Sequence, residues 1–144
     1  MQPLGSSGLP AERFDEACRK LETLLLRYID MATGQLEAIR KGAFERAARL
    51  AVTAEKSLIE CRRTERQIQA ASALLPDGEQ AFRRRMAELR TLGWTADAVA
   101  RQLGAELSTR REQLLRELAQ LEAGGGEPFN QRAALRANLV NIRT

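Results

Sequence analysis

Residues 11–42, AERFDEACRKLETLLLRYIDMATGQLEAIRKG, decide the fold class. Phe14, Cys18, Leu21, Leu25, Tyr28, Ala32, Leu36 and Ile39 recur in alternating steps of three and four, which places them on one stripe of an α-helix. Glu12, Asp15 and Glu16 open the segment and Arg40 and Lys41 close it, each sign matching the partial charge at its end of the helix. Gly34 falls inside and costs about 1 kcal/mol relative to alanine, so a thin or bent point is expected there. Gly42 follows the basic pair, where a left-handed residue commonly ends a helix.

Beyond Gly42 the pattern restarts with Phe44, Ala47, Ala51, Ala54, Leu58, Cys61, Ile68, Ala71 and Leu75 and reaches Pro76, with Glu65 as its one interruption. So short a junction folds the second helix back along the first, giving antiparallel arms of roughly 45 Å, and the small residues at 47, 51 and 54 let those arms approach closely. Pro76-Asp77-Gly78 reads as a turn. A shorter helix carrying Phe82, Met86 and Leu89 is predicted to end near Gly93. Another then starts after Thr95, a good N-cap, and carries Val99, Leu103, Leu107, Leu114, Leu118 and Leu121 to Glu122. Within it Ser108 to Gln113 is wholly polar, so weak packing or protrusion is expected there.

The ends differ in character. Residues 1–10, MQPLGSSGLP, hold nothing periodic and read as a disordered tail. Gly124-Gly125-Gly126 gives a flexible tether, beyond which Leu135, Leu139 and Ile142 stand at i, i+4 and i+7, with Asn130 as a cap. The predicted organisation is a tail at 1–10, a helical bundle domain at 11–123 and a glycine-tethered amphipathic segment at 124–144. The fold class is all-α: a long antiparallel, coiled-coil-like hairpin extended to a three- or four-helix bundle, with a flexible C-terminal amphipathic segment.

Composition agrees and narrows the function. Of 144 residues 44% are hydrophobic, enough for a core, while aromatics are 4% and Val and Ile are scarce beside Ala, Leu, Arg, Glu and Gln, which favours helices over strands. The sequence contains no histidine, which removes imidazole bases, Ser-His and Cys-His nucleophiles and His-ligated metals. An enzyme is therefore not expected, nor a cofactor or a metal. The net charge of +4 permits an acidic or nucleic-acid partner without requiring one. No secretory signal or membrane span is visible, so a cytoplasmic protein with reduced thiols is expected.

Four constellations carry possible chemistry. Cys18 and Cys61 lie about one turn out of register in the predicted hairpin, which predicts buried free thiols and no disulfide. Arg83-Arg84-Arg85 is the densest basic run and has no interleaved aromatic residues to stack bases. At 93–115, Val99, Ala100, Leu103 and Gly104 fall where a helix-turn-helix wants them, but its later core positions would fall on Arg110 and Gln113 and bury two polar groups. A small DNA-binding regulator using that segment is one alternative function, and a structural coiled-coil scaffold, with self-association, is another. The tail stripe is either a packing element docked on the bundle or a segment held for a partner helix. Its polar side offers Arg132, Arg136 and Arg143.

Residues 24–60, LLLRYIDMATGQLEAIRKGAFERAARLAVTAEKSLIE, resemble the FlgN-type export chaperones of the bacterial flagellum. The resemblance is carried by the Leu-rich helix, the turn at Gly42-Ala43 and the following Leu50, Ala51, Lys56 and Leu58-Ile59. A later helical region, Leu103 to Leu121, and the Phe129-Asn130 pair stand in the corresponding order. This resemblance implies a small cytoplasmic helical protein without enzymatic activity. Such a chaperone would bind the C-terminal helices of hook-associated proteins, keep them from assembling early and deliver them to the export gate, with gate and ATPase components as further partners. The partner contacts expected on that basis are Phe129, Leu135, Leu139, Val140 and Ile142, with Leu114, Leu115 and Leu118 as a second surface.

Overall fold

The computed structural model describes residues 9–124 and 129–142. Among these the chain forms four α-helices and no strand: α1 Pro10–Arg40, α2 Phe44–Ser72, α3 Gly78–Gly124 and α4 Phe129–Asn141. The all-α class expected from the sequence is the one observed. Most of the predicted tail lies outside the described residues. Pro10 opens α1, where its missing N–H leaves no bond unmade, and the Leu9 carbonyl accepts the first helical bond from the Arg13 N–H at 3.1 Å.

Gly42 does at the end of α1 what its position predicts. Its φ of 75° lets the Gly42 N–H reach the Ile39 carbonyl at 3.0 Å and the Ala43 N–H reach the Ala38 carbonyl at 2.8 Å, a paired closure that satisfies two terminal carbonyls at once. α2 then begins at Phe44.

By contact density the chain divides into two units, one comprising residues up to Ile29 with Ala54–Asp97, the other Asp30–Thr53 with the residues from Ala98 onward. In the first unit α1 contributes Phe14, Cys18, Leu21 and Leu24 to a core completed by Cys61 and Ile68 of α2, and Phe82, Met86 and Leu89 of α3 pack against it. Glu65 does not interrupt this seam as expected. It is exposed, and the fully buried residue is Thr64, whose hydroxyl donates to the Glu60 carbonyl at 2.7 Å and so enters the core with its polar atom satisfied. Ser57 is also buried, and Leu58 is only half-buried.

α2 ends at Ser72, short of the predicted Pro76. The chain tightens through bonds from Leu74 N–H to Ala71 and from Leu75 N–H to Ser72, and α3 starts at Gly78. A β-carbon at 78 would overlap the Ser72 carbonyl, so the close approach of the two segments requires glycine.

The main departure from the sequence reading lies in α3, which is one helix of 47 residues with no break near Gly93 or Thr95. Thr95 does not cap: its hydroxyl donates back to the Thr91 carbonyl at 2.9 Å. Ala96 is buried, and Gly93 adopts no left-handed conformation, so packing outweighs a weak local stop signal. The same continuity means that residues 93–115 contain no turn at Gly104 and form no helix-turn-helix. A β-carbon at Gly93 or Gly104 would meet nothing within 4 Å. Gly93→Ala and Gly104→Ala are each expected to raise stability by up to about 1 kcal/mol, whereas Gly78→Ala is expected to lower it by about 1–3 kcal/mol. Urea unfolding of the three variants checks this contrast.

In the second unit Ala38 and Ile39 of α1, Phe44 and Ala47 of α2, Leu107 and Leu114 of α3 and Ile142 form the core. The polar run 108–113 is exposed, as weak packing there implies, except at Arg110, which is half-buried and donates to the Arg40 carbonyl at 2.9 Å. The guanidinium thereby closes a carbonyl left open at the C-terminus of α1, where positive charge is favoured. Glu106 stands 3.6 Å from Arg110 Nε and 4.0 Å from Arg40 Nε and joins the two cations.

Candidate functional site

The residues expected to contact a partner gather in the second unit, around α4. That helix begins at Phe129, and Asn130, expected as its cap, is its second residue. Leu135 and Leu139 are half-buried against the core, and Ile142, just beyond the helix, is inserted into it at 3% exposure. One face of α4 is therefore occupied by the protein itself: of the two readings left open for the tail, the docked one is observed. Arg136, on its polar side, donates to Glu122 of α3 at 3.1 Å. The intervening residues 125–128, which include most of the predicted tether, lie outside the described residues.

Exposure separates the expected contacts into two groups. Leu114, 7% exposed, belongs to the core of the unit, and Leu118 is half-buried. Leu115, at 47%, and Val140, at 68%, remain open to solvent. Phe129 opens α4. Beside α4 lies an open depression lined by Phe44, Arg46 and Arg49 of α2 and by Ala134, Ala137 and Asn138 of α4. Its walls combine Phe44 and small apolar side chains with Glu45 and the two arginines, which suits an amphipathic segment better than a compact polar molecule. Sequence reasoning missed Arg110, which it read as part of a polar interruption. The available signal was the need of the α1 C-terminus for a donor.

Chemistry based on the thiols is not favoured. Cys18 and Cys61 are both free and buried, as the register argument predicted. Burial pushes the Cys18 thiol above its ordinary 9.0, and the nearby Arg85 guanidinium opposes this only in part. Burial also raises Cys61, with Glu65 and Glu60 adding to the shift. A thiol held protonated is a poor nucleophile. The folded state keeps protons that the unfolded chain sheds, so this contribution to stability is present below about pH 9 and is lost as pH rises through the folded-state values. Urea midpoints are accordingly expected to fall above pH 9, with part of the fall removed in Cys61→Ala.

Fold and site together define an all-helical protein whose accessible chemistry is apolar contact framed by arginine and carboxylate. No helix among the described residues is long and apolar enough to cross a membrane. Comparison with models of known protein families, with characterised proteins and with solved structures finds no match.

Proposed function

We propose that this chain is a non-enzymatic cytoplasmic binding protein similar to the FlgN export chaperones, one that holds the C-terminal helices of hook-associated proteins until they are passed to the export gate. The observation that carries the reading is the position of α4: a short helix follows a glycine-rich connection and places Leu135, Leu139 and Ile142 on a core that another amphipathic helix could share or take over. The resemblance of residues 24–60 to that family supports the same conclusion, and binding of this kind needs no bond made or broken.

Purified full-length protein mixed with C-terminal segments of hook-associated proteins is expected to elute as a complex on size-exclusion chromatography. Unchanged elution would end the proposal. Leu115→Glu and Val140→Glu alter exposed positions, so each is expected to weaken capture about tenfold with helicity by circular dichroism unchanged. Ile142→Glu places a charge in the core and is expected to release α4 from it. Removing residues 124–144 is expected to weaken capture; tighter capture would mean instead that α4 covers the client's groove.

A further inference from the structure

We propose that the outer face of the first half of α3, centred on Trp94, docks a partner protein that presents carboxylates around an apolar cleft. Trp94 is the only tryptophan in the chain and is 67% exposed. On the same helix Phe82, Met86 and Leu89 pack against the core of the first unit and Ala96 is buried, while Trp94 is left outside. Because α3 continues through Gly93, Arg83, Arg90 and Trp94 follow one another in steps of seven and four and fall within about 40° of one line along the helix. A break at Gly93 would have separated them.

The charges around the ring indicate the partner. The guanidinium carbon of Arg90 lies 6.0 Å from the ring centroid of Trp94. Among the described residues Arg84 and Arg90 enter no ion pair, while Arg83 is held by Glu79 at 2.6 Å and Arg85 by Glu88 at 3.0 Å. Asp97, one turn beyond Trp94, is exposed and already has an interaction within the protein. The face thus joins a large apolar ring to two uncompensated cations, with Ala87 and Thr91 as small neighbours. Tryptophan and arginine dominate the binding energy of protein interfaces when small or neutral contacts surround them. A single-stranded nucleic acid would want successive aromatic rings, and a membrane surface would want a band of apolar anchors. This proposal does not rest on the chaperone reading.

Emission from the single tryptophan reports the contact directly in the full-length chain. The probes are an amphipathic helical peptide with leucines at i, i+3, i+4 and i+7 flanked by glutamates, its lysine-flanked twin, an oligothymidylate and phosphatidylglycerol vesicles. Expected are a saturable blue shift with the glutamate peptide alone, weakening as salt is added, an affinity about tenfold lower in Arg90→Ala, and no binding by Trp94→Ala in calorimetry. Val140→Glu should leave this response unchanged, which keeps the outcome independent of client capture around α4. The proposal is overturned by absence of a shift with the glutamate peptide, by an equal shift with the lysine twin, or by a response to oligonucleotide or vesicles without one to the peptide.

Discussion

Ala96→Pro is expected to lower stability by about 3 kcal/mol or more, because proline inside a helix removes one backbone hydrogen bond and sets its ring against the carbonyl four residues earlier. The substitution separates two arrangements of the same sequence. Were Thr95 the cap of a new helix, position 96 would be its first residue, where proline is well tolerated. In the continuous α3 it falls in the interior, at a side chain already buried at 7%. Thr95→Ala is the companion variant: loss of a cap costs about 1 kcal/mol, whereas here its hydroxyl serves only the Thr91 carbonyl, and alanine is expected to be neutral or stabilising. Chemical denaturation of both variants, with helicity followed by circular dichroism, gives the two answers together.

Ile68→Ala is expected to cost about 2–5 kcal/mol, the range for deleting a large aliphatic side chain from a packed site. Ile68 is completely buried in the core it shares with Phe14, Cys18, Leu21, Leu24 and Cys61. The neighbouring Glu65→Ala should change stability by no more than about 0.5 kcal/mol, since Glu65 is exposed. A seam running through 65 instead of 64 would give the opposite order for Glu65→Ala and Thr64→Ala, so measuring urea midpoints for all three fixes which face of α2 is inside.

The sequence made α1 legible because eight apolar positions, charge at both ends and a terminal glycine all pointed to the same helix, and Gly42 then set the reversal into α2. It did not make α3 legible as one piece. Gly93 and Thr95 are local stop signals worth about 1 kcal/mol each, and burial of Ala96 with the hydrophobic residues on either side of it outweighs them. Thr64 escaped a reading that counted only apolar residues, although a hydroxyl that bonds to the preceding turn can be buried at little cost. The candidate contacts were only partly legible for a related reason. Periodicity identifies Leu114, Leu115, Leu118, Leu135, Leu139, Val140 and Ile142 as apolar positions on helices, but it does not say which stripe a second element will cover. The core of the second unit takes in Leu114 and Ile142, while Leu115 and Val140 stay open.

The division of the chain into units fixes an order of events during synthesis. The first unit is complete once residue 97 has emerged from the ribosome, whereas the second joins Asp30–Thr53 to residues beyond 98. Its opening helical segments must therefore wait, with Ile39 and Phe44 uncovered, until Leu107, Leu114 and finally Ile142 arrive. Contacts that bridge such long stretches of chain form late and slowly, and apolar surface left waiting for them is prone to aggregate. For the nascent polypeptide, the vulnerable interval lies between translation of the hairpin turn and translation of α4.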